Sequence, residues 1–220
     1  MKTKGSYPVF FDLDRTIIDV NSGSLLVRHA YKNGLMSTGN LLNAILQAWL
    51  YKFNLRDTNV IIAKMGNWLK GLHHEAVEEL SEEVVNKYLI KSIRPEIVAE
   101  IKFHKEKSGL IVMLSSAISS ICEPTGRLLG FNDILCTTME TIDGILTGSP
   151  AGNYCFGDEK RVRLMEFCEA GNYSLKETYY YADSISDLPA LEVVGHPVCI
   201  TPDKKLRQVA RKKGWRIDDW

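Results

Sequence analysis

The sequence has no excess charge of either sign, no long hydrophobic run and no cysteine pattern typical of a disulfide framework. The 27 basic residues balance the 27 acidic ones, which argues against a nucleic-acid or membrane-surface partner. Every apolar run is shorter than the ~18 to 20 residues that cross a bilayer. The five cysteines are widely spaced and include no Cys-x-x-Cys pair, so we expect free thiols and no zinc site.

The overall composition is that of an ordinary globular protein. Hydrophobic residues make up 45% of the 220-residue chain and charged residues 25%, enough apolar mass for a substantial core. A chain of this length forms one large domain, or a core domain with a smaller insert. The N-terminal residues contain no apolar signal-peptide segment, so we expect a cytoplasmic location.

Short apolar runs that alternate with helical patterns predict a parallel α/β sheet. The predicted strands are Val9–Phe10, Leu110–Leu114, Ile134–Cys136, Thr178–Ala182 and Val198–Ile200. The segment Glu140–Thr147 predicts a β-hairpin, because its central Asp143-Gly144 pair favours a tight primed turn. Further helices are predicted at Pro95–Lys107, Ser119–Leu129, Lys160–Ala170 and Asp203–Lys213.

An all-helical block interrupts this alternation after the first strand. Apolar residues recur there at spacings of three and four, the period of an amphipathic helix. The predicted helices are Ser24–Asn33, Gly39–Phe53, Asp57–Leu69 and His74–Ile90. We therefore predict a core domain formed by residues 1–20 and 95–220, with a separate helical domain at 21–94.

Two aspartates follow the first predicted strand. Asp12 and Asp14 lie two residues apart, and side chains at i and i+2 of a strand point the same way, so we expect their carboxylates to converge. They lie at the strand's carboxyl end, where open α/β sheets bind ligands. Because like charges at a partly buried site are costly unless a cation or a proton offsets them, the pair indicates chemistry.

Three further polar groups fall at strand ends or helix starts. Ser115 follows the second predicted strand, Lys160 begins a helix, and Asp183 and Asp187 follow a later strand. Each has an ordinary alternative interpretation as a cap, a turn or a solvated surface residue. Their common position at the edge of the sheet where an active site forms favours a catalytic role.

These residue types fit phosphoryl transfer to a carboxylate. Asp12 would attack phosphorus and form an aspartyl-phosphate, while Asp14 would act as general acid and then as general base. Lys160 and Ser115 would hold the phosphoryl oxygens. Mg²⁺ is the expected cation because it prefers oxygen ligands; its predicted ligands are Asp12, Asp14 (through the backbone carbonyl), Asp183 and, from an outer position, Asp187.

The set of motifs resembles that of the haloacid dehalogenase superfamily. The matching residues are Asp12-Leu-Asp14-Arg-Thr16, Ser115, Lys160 and Asp183-Ser-Ile-Ser-Asp187. The resemblance implies a Rossmann-like parallel sheet with a small helical cap inserted after the first strand, as in the branch that includes phosphoserine phosphatases. It also implies a Mg²⁺-dependent phosphatase that acts on a small phosphorylated metabolite, with phosphorylated amino acids and amino alcohols such as histidinol phosphate foremost.

Three positions depart from the pattern of that branch. Arg15 replaces a frequent glycine, which implies a strained backbone if its φ is positive, and it places a positive charge near the site. Asn21 stands where phosphoserine phosphatases carry a glutamate that receives the substrate amine, and Ser116 replaces a glycine. We predict that Arg15, Asn21, Ser115 and Ser116 contact the substrate.

Other functions using the same residues stay open. A phosphotransferase or phosphomutase would share the aspartyl-phosphate but shield it from water, and a non-catalytic sensor of phosphorylated ligands would use the fold alone. A response-regulator receiver is disfavoured, because Lys160 precedes the second acidic pair and a long helical insert is present. The cap's candidate pocket residues are Asn21, Arg28, His29, Trp49, Tyr51, Trp68, His73 and His74; the oligomeric state is left open.

Overall fold

The computed structural model describes residues 7–52 and 66–220, and within them a six-stranded parallel sheet forms the centre of the fold. The strand order is β3-β2-β1-β6-β7-β8, and every neighbouring pair is parallel. The predicted parallel α/β architecture is therefore confirmed. The strands are β1 Pro8–Phe11, β2 Leu110–Ile118, β3 Asp133–Thr137, β6 Tyr179–Ala182, β7 His196–Ile200 and β8 Arg216–Asp218.

Helices cover both faces of the sheet. They are α1 Ser22–Lys32, α2 Thr38–Lys52, α3 His74–Lys87, α4 Pro95–Glu106, α5 Ser119–Leu129, α6 Asp158–Ala170, α7 Leu188–Leu191 and α8 Lys204–Lys213. Phe11 belongs to a core cluster that includes residues of α4 and α5, whereas its neighbour Phe10 belongs to a second cluster with residues of α6, α7 and α8. Successive strand side chains point to opposite faces, so β1 is buried on both sides and places its carboxyl end in the middle of the fold.

The helical segment after β1 agrees with the predicted pattern where it is described. Helix α1 begins at Ser22, α2 is described from Thr38 to Lys52, and α3 is followed by a short 3-10 helix at Leu89–Ser92. The predicted helix Asp57–Leu69 lies largely outside the described residues; its last part forms a 3-10 helix at Asn67–Leu69. No helix among the described residues has the length and apolar character required to cross a membrane.

The two ends of this helical segment are hydrogen-bonded to each other. Ile18 and Ile93 form an antiparallel bridge. The Asp19 N–H donates to the Ser92 carbonyl at 2.9 Å, and the Arg94 N–H donates to the Ile17 carbonyl at 3.0 Å. We call these residues, 17–19 and 92–94, the neck. The chain therefore leaves the sheet after β1 and returns to it beside its point of departure.

The predicted hairpin is present and contacts the helical segment. Strands β4 Met139–Ile142 and β5 Ile145–Pro150 are antiparallel. Asp143 and Gly144 both have positive φ, at 50° and 77°, as a primed two-residue turn requires. The Leu146 N–H donates to the Leu72 carbonyl at 2.9 Å, which fixes the hairpin against the end of the helical segment.

Candidate active site

Lys160 lies at the centre of a buried ionic cluster at the carboxyl ends of the strands. Its Nζ is 2.8 Å from Asp12 Oδ1 and 2.5 Å from Asp187 Oδ1. All three residues are buried. Burial alone would lower the pKa of the Lys160 ammonium, but the neighbouring carboxylates of Asp12 and Asp187 outweigh it and hold that pKa well above its ordinary value. Lys160 is therefore charged and fixed in position.

Asp183 brings a third carboxylate to this cluster. Asp12, Asp183 and Asp187 each offer an oxygen, and these oxygens lie within 4.8 Å of one another. Burial raises the pKa of Asp12 to about 7, against the opposing charge of Lys160. Burial, with the negative charge of Asp12, raises the pKa of Asp183 to about 8. Three carboxyl groups thus surround one ammonium group at a buried site.

The carboxylate of Asp14 contacts the start of α1. Its Oδ1 accepts the Ser22 N–H at 2.8 Å, and its Oδ2 accepts from Asn21 Nδ2 at 2.9 Å. Strand β1 ends at Phe11, so the alternation of strand side chains does not extend to Asp14. The predicted convergence of the Asp12 and Asp14 carboxylates assumed that alternation, which is absent at this position. Asp14 still raises the pKa of Asp12 by its charge.

Ser115 and Ser116 lie within β2, not directly after it as predicted. The strand continues to Ile118, but its register against β3 shifts between Leu114 and Ile118. This irregularity separates the regular part of β2 from the part that borders the site. Ser115 is buried and its Oγ accepts the Ala117 N–H at 3.2 Å, whereas Ser116 is exposed.

Arg15 has a left-handed backbone conformation, which is the strained case expected if its φ is positive. Its φ is 60°, a value that costs a residue with a side chain about 1 kcal/mol or more. The side chain is exposed, and its charge lowers the pKa of Asp183 against the dominant effect of burial. The guanidinium thus acts on the site through its electric field.

A cavity of about 630 Å³ adjoins Asp14. Of the candidate pocket residues, Asn21, Arg28 and Trp68 line it. His29 is buried instead, with its Nε2 2.9 Å from Glu83 Oε2. Tyr51 lies where side chains are not described.

The sequence interpretation missed Tyr180 and Ser22. The Tyr180 hydroxyl donates to Asp187 Oδ1 at 2.6 Å and lies 3.3 Å from Lys160 Nζ. Nothing in the run Thr178–Ala182 separated this tyrosine from the other apolar residues of a buried strand. Ser22 contributes its backbone N–H to Asp14, a contact that residue identity does not encode.

These features define an α/β enzyme with an acidic site at the carboxyl ends of its central strands. The chain belongs to the haloacid dehalogenase-like hydrolase family, whose model matches residues 9–192. The predicted superfamily is therefore confirmed, and with it the enzyme class: the protein is a phosphatase, a hydrolase of phosphoric monoesters.

Two relatives named as phosphatases agree with this assignment, and one solved structure shares the fold. The chain is 31% identical to "Histidinol-phosphatase" of Neisseria meningitidis serogroup C over 94% of this chain and 96% of that protein. It is 28% identical to "Phosphoserine phosphatase SerB1" of Mycobacterium tuberculosis over 96% of this chain and 70% of that protein. A Bordetella pertussis protein of unknown function has a similar fold, with a TM-score of 0.87, 23% identity and coverage of 98% and 99% of the two chains.

Proposed function

We propose that the protein is a Mg²⁺-dependent phosphomonoesterase that works through an aspartyl-phosphate on Asp12. The single observation that carries this proposal is the bridging position of Lys160, bonded to both Asp12 and Asp187. A fixed cation beside a buried carboxylate orients the nucleophile and offers a positive charge to the phosphoryl oxygens, whose charge must be stabilised in the transition state.

The reaction has two balanced steps. In the first, an Asp12 carboxylate oxygen bonds to phosphorus, the bond from phosphorus to the alcohol oxygen breaks, and Asp14 gives its proton to that oxygen. In the second, water attacks the phosphorus of the aspartyl-phosphate, Asp14 takes the water's proton, and phosphate leaves with Asp12 restored. The buried hydroxyl of Ser115 would donate to a phosphoryl oxygen.

The carboxylates fit a divalent cation. Asp12, Asp183 and Asp187 supply buried oxygen donors within 4.8 Å of one another, the ligand type that Mg²⁺ requires. Burial raises the pKa values of Asp12 and Asp183, and a bound cation would oppose that effect by stabilising their ionised forms. We assign Asp12, Asp183 and the Asp14 backbone carbonyl as ligands, with Asp187 supporting them from outside. When bound, the cation would neutralise phosphoryl charge and polarise the phosphorus centre.

We further propose that residues 21–94 form a cap over a core of residues 1–20 and 95–220. Helix α1 begins directly beside Asp14, and the cavity lies between helical-segment and core residues. A cap in this position would surround the leaving group and exclude water. The names of the relatives place phosphorylated amino acids and amino alcohols in the first assay panel.

Replacement of the nucleophile tests the reaction. Asp12→Asn should lower Mg²⁺-dependent phosphate release from p-nitrophenyl phosphate by at least about a thousandfold, with the fold verified by circular dichroism. Asp133→Asn, which changes an exposed aspartate at the start of β3, is the matched control and should keep the activity of the unmodified protein. Full activity in Asp12→Asn would refute the assigned nucleophile.

A further inference from the structure

The walls of the cavity beside Asp14 are mainly apolar. Side chains of α1, the 66–69 turn, β2 and β4 contribute to it, among them Leu26, Trp68, Ile118 and Met139. Its volume of about 630 Å³ lies within the ~300 to 1,000 Å³ typical of sites that enclose a drug-sized ligand. A leaving group as small and polar as serine would leave most of this apolar surface in contact with water.

Among the described residues that line the cavity, no charged side chain is available as the counter-ion of a substrate amine. The charged residues among them are Asp14 and Arg28. Both Asp14 oxygens already accept hydrogen bonds, from Ser22 and Asn21, and Asp14 is assigned the proton transfer. Arg28 repels an ammonium group, because like charges in a partly enclosed site interact unfavourably.

Neutral polar side chains also line the cavity, and Gln47 is a buried amide among them. Its side chain is 5% exposed and its Oε1 has no hydrogen-bond partner among the described residues, whereas its Nε2 donates to Asn43 Oδ1 at 3.2 Å. A buried acceptor without a partner is unfavourable. A turn of the Gln47 side chain towards the cavity would bring Oε1 to a ligand that carries a donor, and this pairing would remove the cost, so the residue favours such ligands.

We infer that the substrate is the phosphate ester of a largely apolar alcohol that carries a neutral hydrogen-bond donor, such as a hydroxyl or ring N–H, and no ammonium group. The donor pairs with Gln47 Oε1, the apolar body contacts the cavity walls, and the ester oxygen lies at Asp14. This inference rests on the proposed phosphatase function and narrows its substrate to a class less polar than phosphoserine.

Matched substrates test the inference on the full chain with Mg²⁺. The reference is 3-phenylpropyl phosphate; the others are its 2-amino derivative, its three ring-hydroxylated isomers, and phosphoserine. We expect the best hydroxylated isomer to exceed the reference in kcat/KM by about tenfold or more, the value of one buried hydrogen bond. We expect the amino derivative and phosphoserine each to fall below the reference.

Variants assign these preferences to residues. Gln47→Leu should abolish the advantage of the hydroxylated isomer over the reference, whereas Gln208→Leu, at the chain's other glutamine on the exposed face of α8, should retain it. Arg28→Gln should reduce the discrimination against the amino derivative. Each readout is a ratio of two substrates, which does not depend on the fraction of enzyme that is folded; Gln47→Met provides a second variant if Gln47→Leu does not fold.

The outcomes separate the two proposals. A preference for phosphoserine or for the amino derivative, no gain from any hydroxylated isomer, or a retained hydroxyl advantage in Gln47→Leu would each overturn the inference. In all of these cases the hydrolysis of p-nitrophenyl phosphate continues. If that hydrolysis is itself absent from the unmodified protein, the phosphatase proposal fails, and the inference fails with it.

Discussion

Asn21 Nδ2 donates to Asp14 Oδ2 at 2.9 Å, while Asn21 Oδ1 accepts the Ser24 N–H and hydroxyl, each at 2.8 Å. One amide therefore caps α1 and holds the proposed acid–base residue. Asn21 was predicted to contact the substrate. Its contacts favour a positioning role, because both ends of its amide already have partners within the protein.

Asn21→Ala should slow the hydrolysis of poor leaving groups selectively. General acid catalysis contributes ~100- to 10,000-fold when the leaving group needs a proton, and we expect loss of part of it, about tenfold in kcat, for an alkyl phosphate. The kcat for p-nitrophenyl phosphate, whose leaving group departs without a proton, should change little. The control is Asn33→Ala at the other end of α1, where the side chain caps His29 O; equal losses for both substrates would contradict the positioning role.

Asp183→Asn should raise the Mg²⁺ requirement. The substitution removes a negative charge from the carboxylate cluster of Asp12, Asp183 and Asp187. We expect the Mg²⁺ concentration for half-maximal activity to rise at least about tenfold. A Mg²⁺ titration of p-nitrophenyl phosphate hydrolysis measures it, with Asp133→Asn alongside. An unchanged titration curve would remove Asp183 from the metal site.

Arg15→Gly should stabilise the protein and weaken substrate binding. Relief of the positive φ at Arg15 should add about 1 kcal/mol to the free energy of unfolding, measured by urea denaturation. Loss of the guanidinium charge should raise KM for phosphate esters. Ser108→Gly relieves a similar φ of 61° far along the chain and should give the stability gain with no change in KM. A KM unaffected by Arg15→Gly would exclude a role in binding.

His104 should make stability depend on pH below neutrality. Burial lowers the pKa of His104 to about 4. Its Nε2 contacts the Tyr181 hydroxyl and its Nδ1 the Tyr7 hydroxyl, both at 2.9 Å. The folded state thus binds its proton less readily than the unfolded state, whose pKa is near the ordinary ~6.5.

The stability that His104 contributes is therefore present above pH ~6.5 and decreases as pH falls towards 4, by an amount on the order of 3 kcal/mol. Urea denaturation between pH 7 and 4 should show a steeper loss for the unmodified protein than for His104→Gln, which cannot take up that proton. Parallel pH curves for the two proteins would show that His104 titrates alike in both states.

Most helices and strands of the core were predictable because the spacing of apolar residues that favours each of them is visible in the local sequence. Helix α5 was predicted with its observed bounds, and the Asp143-Gly144 turn follows from backbone sterics alone. Strand β8 was missed because its three residues, one exposed and two half-buried, two of them charged, form a strand only through pairing with β7. The length of β2 was underestimated for a related reason, since its last residue pairs with β3 after a register shift.

The candidate site was predictable in its residue types and not in its contacts. Asp12 and Lys160 are separated by 148 positions, so their ion pair depends on tertiary structure: α6, which carries Lys160, packs in the same core cluster as Phe10 of β1, and β6 pairs with β1. Tyr180 joins the cluster through the same tertiary arrangement. The role inferred for Gln47 has no sequence signature, because the lack of a described partner for its buried Oε1 depends on the tertiary structure.

The neck at residues 17–19 and 92–94 joins the helical segment, which contributes to the cavity, to the sheet that carries the carboxylate cluster. Backbone hydrogen bonds join the two halves of the neck, so the helical segment leaves the core and rejoins it at one point. The entropic cost of a longer loop grows only slowly with its length. In the proposed arrangement, substitutions, insertions or exchange of the helical segment would alter which alcohol the enzyme accepts while Asp12, Lys160 and Asp183 keep their geometry. In that arrangement the substrate preference can change while the catalytic residues stay in place.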